Sequence, residues 1–184
     1  MHKIWSLVIF FILLCACASA QVPTKGNVFF GYSYDHTALS RGDGGSLNGW
    51  NGSLEGNFLP WIGLVVDVDG HYGSRNYETP CGVPPCGLVS ADVAAHNVLF
   101  GPRVSVTVSR YRPFAELLFG AAHVSRSHGI SDSNTSFASA VGGGLDYKLF
   151  GPVWARGQLD WIQTRFYGAT QNGTRLSTGI SVRF

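Results

Sequence analysis

The chain has 184 residues, with 13 Lys or Arg against 11 Asp or Glu and a formal charge of +2. This near balance excludes an electrostatic nucleic-acid binder, which needs a strongly basic surface, and the length is that of one domain. Twenty-four glycines and a single methionine suit strands and tight turns better than packed helices.

Residues 1–20 have the layout of a secretory signal: His2 and Lys3, the apolar run Ile4 to Leu14, and Ala18-Ser19-Ala20 before Gln21. The run is too short for a retained spanning helix. A lipoprotein cleavage ahead of Cys17 is an alternative, because Leu14-Cys15-Ala16 loosely resembles a lipobox, but the small-x-small site fits better. The mature chain, 21–184, keeps two cysteines in Cys81-Gly-Val-Pro-Pro-Cys86. In an exported protein that spacing predicts a disulfide closing a small loop. A metal or redox pair would need more ligands or a two-residue spacing.

Alternation then recurs to the end of the chain. A first strand is predicted near Asn27 to Tyr34, with Val28, Phe30, Tyr32 and Tyr34 on one face. A second, near Gly49 to Phe58, sets Trp50, Leu54 and Phe58 against Asn51, Ser53, Glu55 and Asn57. After a turn at Leu59-Pro60, Ile62, Leu64, Val66 and Val68 oppose Asp67 and Asp69. The fourth, near Val93 to Val108, opposes Val98, Phe100, Val104 and Val106 to Asn97 and Arg103, with Pro102 at a bulge or an unpaired site.

A turn near Ser109-Arg110-Tyr111 leads to a fifth strand, Phe114 to Val124, with Glu116 facing away from Leu117 and Phe119. The sixth, Phe137 to Tyr147, sets Asp146 and Lys148 against Val141, Leu145 and Tyr147. Past Phe150-Gly151-Pro152, the seventh opposes Val153, Ala155, Leu159 and Trp161 to Arg156, Gln158 and Asp160. In the eighth, Leu176, Thr178, Ile180, Val182 and Phe184 share one face, and Arg175, Ser177, Gly179, Ser181 and Arg183 the other.

Eight such segments, joined by short turns near 59, 110 and 151 and by long connections at 35–48, 72–92, 125–136 and 167–174, predict an all-β protein. The architecture is an eight-stranded antiparallel up-and-down transmembrane β-barrel with both termini periplasmic. An Arg facing lipid at mid-membrane costs about 2–4 kcal/mol, so the faces bearing Arg103 and Arg156 must point inward. Trp61, Trp154, Tyr111 and Phe150 near the short turns, and Tyr32, Tyr34, Tyr72, Phe137 and Tyr167 near the long loops, suggest two aromatic girdles.

Leu99-Phe-Gly-Pro-Arg103, Pro113-Phe-Ala-Glu-Leu-Leu-Phe-Gly120, Gly142-Gly-Gly-Leu-Asp-Tyr147 and the run from Arg156 to Thr164-Arg-Phe166 resemble the OmpA/OmpX-type barrels. More narrowly, they resemble the short outer membrane protein beta-barrel domain family of Gram-negative bacteria. The resemblance is strongest over 96–184. It implies a structural, surface-interaction or minor-pore role in the bacterial outer membrane, in contact with lipid and lipopolysaccharide, as a monomer. The tail Ser177, Gly179, Val182 and Phe184 resembles the signal by which barrel-assembly machinery recognises its clients. No peptidoglycan-binding domain follows Phe184, so that role of larger relatives is not implied.

Glu55, Asp67, Asp69, Glu116, Asp146 and Asp160 on the inner face, with Arg103, Lys148, Arg156 and Arg183, predict an interlocked lumen plug; a gated ion path is the alternative. Asp67 and Asp69 could form an acid–base pair, but in a filled barrel they lack a substrate cavity. His36, His71, His96, His123 and His128 map to the loop end, as rim residues or as a metal or pH-sensing cluster. A lipid-hydrolase reading would pair His123 with Ser139 or a loop serine, since Ser125 is too distant along its own strand. The sequons at Asn51, Asn134 and Asn172 are read as chance polar sequence. A soluble lipocalin-like ligand-binding barrel would invert the two faces and add a helix. The expectation is a non-enzymatic membrane barrel with no cofactor or metal, and a surface ligand, if any, at the loops.

Overall fold

The computed structural model describes residues 25–38, 45–79, 87–127, 132–166 and 170–184. The 1–20 segment, Cys81, Cys86, His128 and Tyr167 lie outside the described residues. Eight strands run in chain order: β1 (Gly26–Ala38), β2 (Gly45–Leu59), β3 (Ile62–Thr79), β4 (Gly87–Ser105), β5 (Tyr111–Ser127), β6 (Asp132–Phe150), β7 (Val153–Thr164) and β8 (Gln171–Arg183). Each pairs antiparallel with its neighbour, and β8 returns to β1 through a register running from Asn27↔Arg183 to Ala38↔Asn172, which closes the barrel. Closure leaves no strand edge unpaired.

Three tight turns occupy one rim. Leu59 and Ile62 flank the first, and Gly151, at φ 48°, makes the third. The second holds Val108 and Tyr111 in a two-way backbone pair (2.8 and 2.9 Å) around Ser109, a non-glycine at φ 56°. Pro102 stays in register with Leu64 on β3, while the β4–β5 ladder skips Gly101 and Pro102 between Phe100↔Phe119 and Arg103↔Glu116. The register is the same on both sides of that gap, so Pro102 sits at an unpaired site and not at a bulge.

The strands are longer than the alternation predicts: β3 continues to Thr79 and β4 starts at Gly87, paired residue for residue. β4 and β6 reach 19 residues, where about 9–11 cross a bilayer. Beyond the membrane both faces of a hairpin meet water. The apolar periodicity fades there although the hydrogen-bond ladder does not.

The faces fall as expected. Val28, Phe30, Leu54, Leu64, Val66, Phe100, Leu117, Leu159, Leu176 and Ile180 are exposed on the outside. This apolar exterior and polar interior are the reverse of a lipocalin, and that reading is set aside. No helix among the described residues is long and apolar enough to cross a membrane. Trp61, Tyr111 and Phe150 are exposed near the short turns, and Tyr32, Tyr72 and Phe137 near the opposite end. Trp154 corrects the girdle assignment: it shares Arg156's parity, is buried in the lumen, and carries the Arg183 guanidinium 5.3 Å from its ring.

Part of the inner wall is apolar. Val65, Leu99, Leu118, Ala122, Ala138, Ala140 and Ile162 form one buried cluster on β3 to β7. The polar groups fill the remaining space.

Candidate functional site

The chemistry-bearing residues converge inside the barrel, in two tiers. In the tier near the short turns, β2 supplies Glu55, β4 Arg103, β5 Arg112 and Glu116, β6 Asp146 and β7 Arg156, all buried. Direct cross-strand partners start the network: Arg103 opposes Glu116, Asp146 opposes Arg156, and Asn27 opposes Glu55. Arg103 Nε and Nη2 approach Glu116 Oε2 at 2.7 and 2.5 Å, while Nη1 donates across the lumen to Glu55 Oε2 at 3.0 Å. Arg112 Nη2 donates to Glu55 Oε1 (3.0 Å) and Ser105 Oγ (2.6 Å). Arg156 grips both Asp146 oxygens at 2.6 and 2.9 Å and reaches Asn27 Oδ1 at 3.1 Å.

Phe114 lies between two of these cations, its ring centre 4.3 Å from the Arg103 carbon Cζ and 4.8 Å from that of Arg156. Its π-faces attract both guanidiniums, offsetting part of their mutual repulsion.

The second tier has a different plan. Arg175 on β8 donates to Asp67 Oδ1 at 2.6 Å, to Asp69, and to Asp160 Oδ2 at 2.8 and 3.0 Å. One guanidinium thus gathers carboxylates from β3 and β7. Asn51 adds a donor to Asp67 Oδ2 (2.9 Å), and Asn97 one to Asp69 Oδ1 (2.8 Å). Gln158 bridges the tiers, donating to Glu116 and Asp160 at 2.8 Å each.

The bridge depends on a gap in the β6 wall. Gly142 stands in register between Glu116 and Asp160, and a Cβ there would lie 1.9 Å from Asp160 Oδ1. Two residues on, a Cβ at Gly144 would meet the Phe114 ring at 2.7 Å. The Gly142-Gly143-Gly144 run therefore makes room for the network.

The ten predicted lumen residues lie on the inward parity, but not all join the network. Lys148 is the correction: in register with the lumenal Trp154, it is nevertheless exposed at the short-turn rim, where the β6–β7 register shifts between Lys148 and Phe150. Arg183 points inward yet is only half-buried at the mouth against Trp154. Arg112 and Arg175 were absent from the predicted network and prove central to it. Arg175's parity signalled its face; Arg112 precedes Pro113, at the edge of the assumed turn.

His71 is another correction. It is fully buried, not on the rim, with Nδ1 3.1 Å from Asp69 Oδ1 and Nε2 2.9 Å from Ser33 Oγ, which lies 3.0 Å from Ser177 Oγ. Serine, imidazole and carboxylate in this order have the distances of an activated nucleophile. All three are buried and Asp69 is committed to Arg175 and Asn97, so no acyl group can reach Ser33 without opening the network.

His36, His96 and His123, the other histidines among the described residues, have partners outside this serine–imidazole–carboxylate series. His36 lies 3.3 Å from Ser46 Oγ, His96 packs edge-on to Tyr72 at 5.4 Å, and His123 lies 2.8 Å from Thr135 Oγ1, the direct cross-strand partner, leaving Ser139 out of reach of that contact. Among the described residues no group of three or more His, Cys, Asp or Glu is arranged to hold a metal. Asn51 is buried in the lumen, in keeping with chance polar sequence at that sequon.

A closed eight-stranded barrel with an apolar outside and a charge-filled inside is the fold of the small outer-membrane barrels. The solved structures it resembles are of that class. It matches Neisserial surface protein A with a TM-score of 0.69 at 14% identity, covering 86% of this chain and 97% of that one. It matches Ail, the attachment invasion locus protein of Yersinia pestis solved with the heparin analogue sucrose octasulfate, with a TM-score of 0.61 at 16% identity, covering 87% and 98%. These identities establish a shared fold. No protein-family model and no curated protein matches the chain.

Proposed function

We propose that the protein is a passive integral outer-membrane barrel: the apolar band anchors it, the lumen network rigidifies it, and the long hairpins meet the outside. The observation that carries this reading is the lumen itself, in which Arg103, Arg112, Arg156 and Arg175 are essentially inaccessible and held by carboxylates, so the interior is a plug. In this reading residues 1–20 are a cleaved export signal and the short turns face the periplasm. Ser177, Gly179, Val182 and Phe184 engage the assembly machinery, and the monomer sits among lipid and lipopolysaccharide. Strands of 17 to 19 residues in β3 to β6 carry the hairpins beyond the membrane, where loop two, closed by Cys81–Cys86, is the contact site for a surface ligand. Ail, with the same fold, was solved holding a sulfated sugar, which supports a surface-interaction role.

Planar-bilayer recording tests this against the minor-pore alternative. The purified protein, folded in detergent and reconstituted, is expected to give no steady conductance. Large stable openings would replace the plug with a channel, and a monomer that stays soluble without detergent would overturn the membrane assignment.

A further inference from the structure

The rim bearing the short turns has an unusual charge distribution. Lys25, Arg110 and Lys148 are exposed on it and Arg183 is half-buried at its mouth, and no acidic side chain is exposed there among the described residues. The nearest carboxylates, Glu55, Glu116 and Asp146, are buried and already matched by Arg103, Arg112 and Arg156. Lys25 and Arg183 have no ion-pair partner among the described residues.

Two of these cations line one cavity. It has a volume of about 370 Å³ and is walled by Lys25, Asn57, Phe58, Leu59, Pro60 and Arg183. Its walls differ in kind. Phe58 and Leu59 are on the outer surface, continuous with the lipid-facing band, while Arg183 and Asn57 turn toward the lumen. A pocket with a cationic inner end and an apolar outer end suits an amphiphile with an anionic head.

Buried polar groups just inside the mouth point the same way. Arg112, wholly buried behind the pocket-wall residue Asn57, leaves the donors Nε and Nη1 without a hydrogen-bond partner. The two side chains are neighbours, because Arg112 Nη2 and Asn57 Nδ2 both donate to Glu55 Oε1 at 3.0 Å. Buried donors without partners are costly and are normally satisfied by solvent or ligand. The Phe184 main-chain oxygen is engaged by the Gly26 N–H (3.0 Å).

From the paired cations, the apolar wall and the unsatisfied donors behind them, we infer that this mouth pocket binds the phosphate of an anionic phospholipid, with Lys25 and Arg183 on the phosphate and an acyl chain along Phe58 and Leu59. The inference rests on the membrane-barrel reading, which places this rim at the periplasmic leaflet. The site acts as a basic latch between the barrel mouth and the inner-leaflet headgroups.

Native mass spectrometry of the folded protein with dioctanoyl phosphatidylglycerol, dioctanoyl phosphatidylcholine or inorganic phosphate tests the site. Each Lys or Arg near an anionic lipid contributes about five-fold, so phosphatidylglycerol should bind roughly 20-fold more tightly than phosphatidylcholine. The double variant Lys25→Gln/Arg183→Gln should bring the two lipids to within about two-fold while keeping the heat-dependent gel shift of a folded barrel. Lys148→Gln, on the rim but outside the pocket, should keep the preference. Equal binding of both lipids in the native protein, an unchanged preference in the double variant, an equal loss in Lys148→Gln, or free phosphate binding as tightly as the lipid would each overturn the proposal. A protein that never needs detergent would instead defeat the membrane reading on which the site rests.

Discussion

The two tiers of the lumen solve the same problem in opposite ways. Near the short turns, Glu55, Glu116 and Asp146 meet Arg103, Arg112 and Arg156, one cation for each anion, with contacts shared among neighbours. Nearer the loops, Asp67, Asp69 and Asp160 all depend on Arg175, with His71, Asn51 and Asn97 in support. A distributed network can re-pair after losing a member, whereas a hub cannot. Sensitivity to substitution should therefore concentrate at one residue of β8.

Arg175→Met is the sharpest way to break that contrast. Removing one partner of a buried ion pair costs about 3–5 kcal/mol, and here three carboxylates lose their cation together, so the effect should reach at least the top of that range. Urea unfolding in detergent, followed by tryptophan fluorescence, measures it. Arg156→Ala should cost less, about 3 kcal/mol, because Arg112, the cross-strand partner of the stranded Asp146, has Nε and Nη1 without partners and can take it up; equal losses in the two variants would erase the distinction between hub and network.

Gly142→Ala probes the bridge between the tiers. Its new methyl group displaces the Asp160 carboxylate from Gln158 and Arg175, for a loss of about 1–3 kcal/mol by the same assay. Ser33→Ala removes the hydrogen bond to His71 and should cost about 1 kcal/mol. Lys148→Gln, exposed at the rim, should lie within about 0.5 kcal/mol of the parent; a larger loss would return Lys148 to the network from which the structure removes it.

Which face each residue occupies was legible from alternation alone, because a strand has period two and lipid tolerates few charges. Leu64 and Asp67, or Phe100 and Arg103, could be sorted without coordinates. Height along the barrel was not legible. Parity is blind to it, and the strand ends were hidden where both faces become polar. Lys148 at the short-turn end and His71 at the loop end were consequently misplaced, whereas Trp154 was put in the girdle for its nearness to a turn although its parity with Arg156 already turned it inward. Partnership was also out of reach wherever it crosses the lumen: Arg175 and Asp67 are separated by 108 positions. The three glycines after Val141 are conspicuous in the chain, but their meaning emerges only when Asp160 and Phe114 are seen occupying the space they leave.

The hub on β8 also bears on how the chain reaches its final shape. β8 completes the circle, and Arg175 is the cation that Asp67 and Asp69 on β3 and Asp160 on β7 share. Until that strand docks, an open sheet holds three carboxylates that require water. Expelling that water is favourable only once the guanidinium arrives. Zipping the last seam and drying the interior are thus a single cooperative event, and a seam that slipped out of register would leave the interior wet.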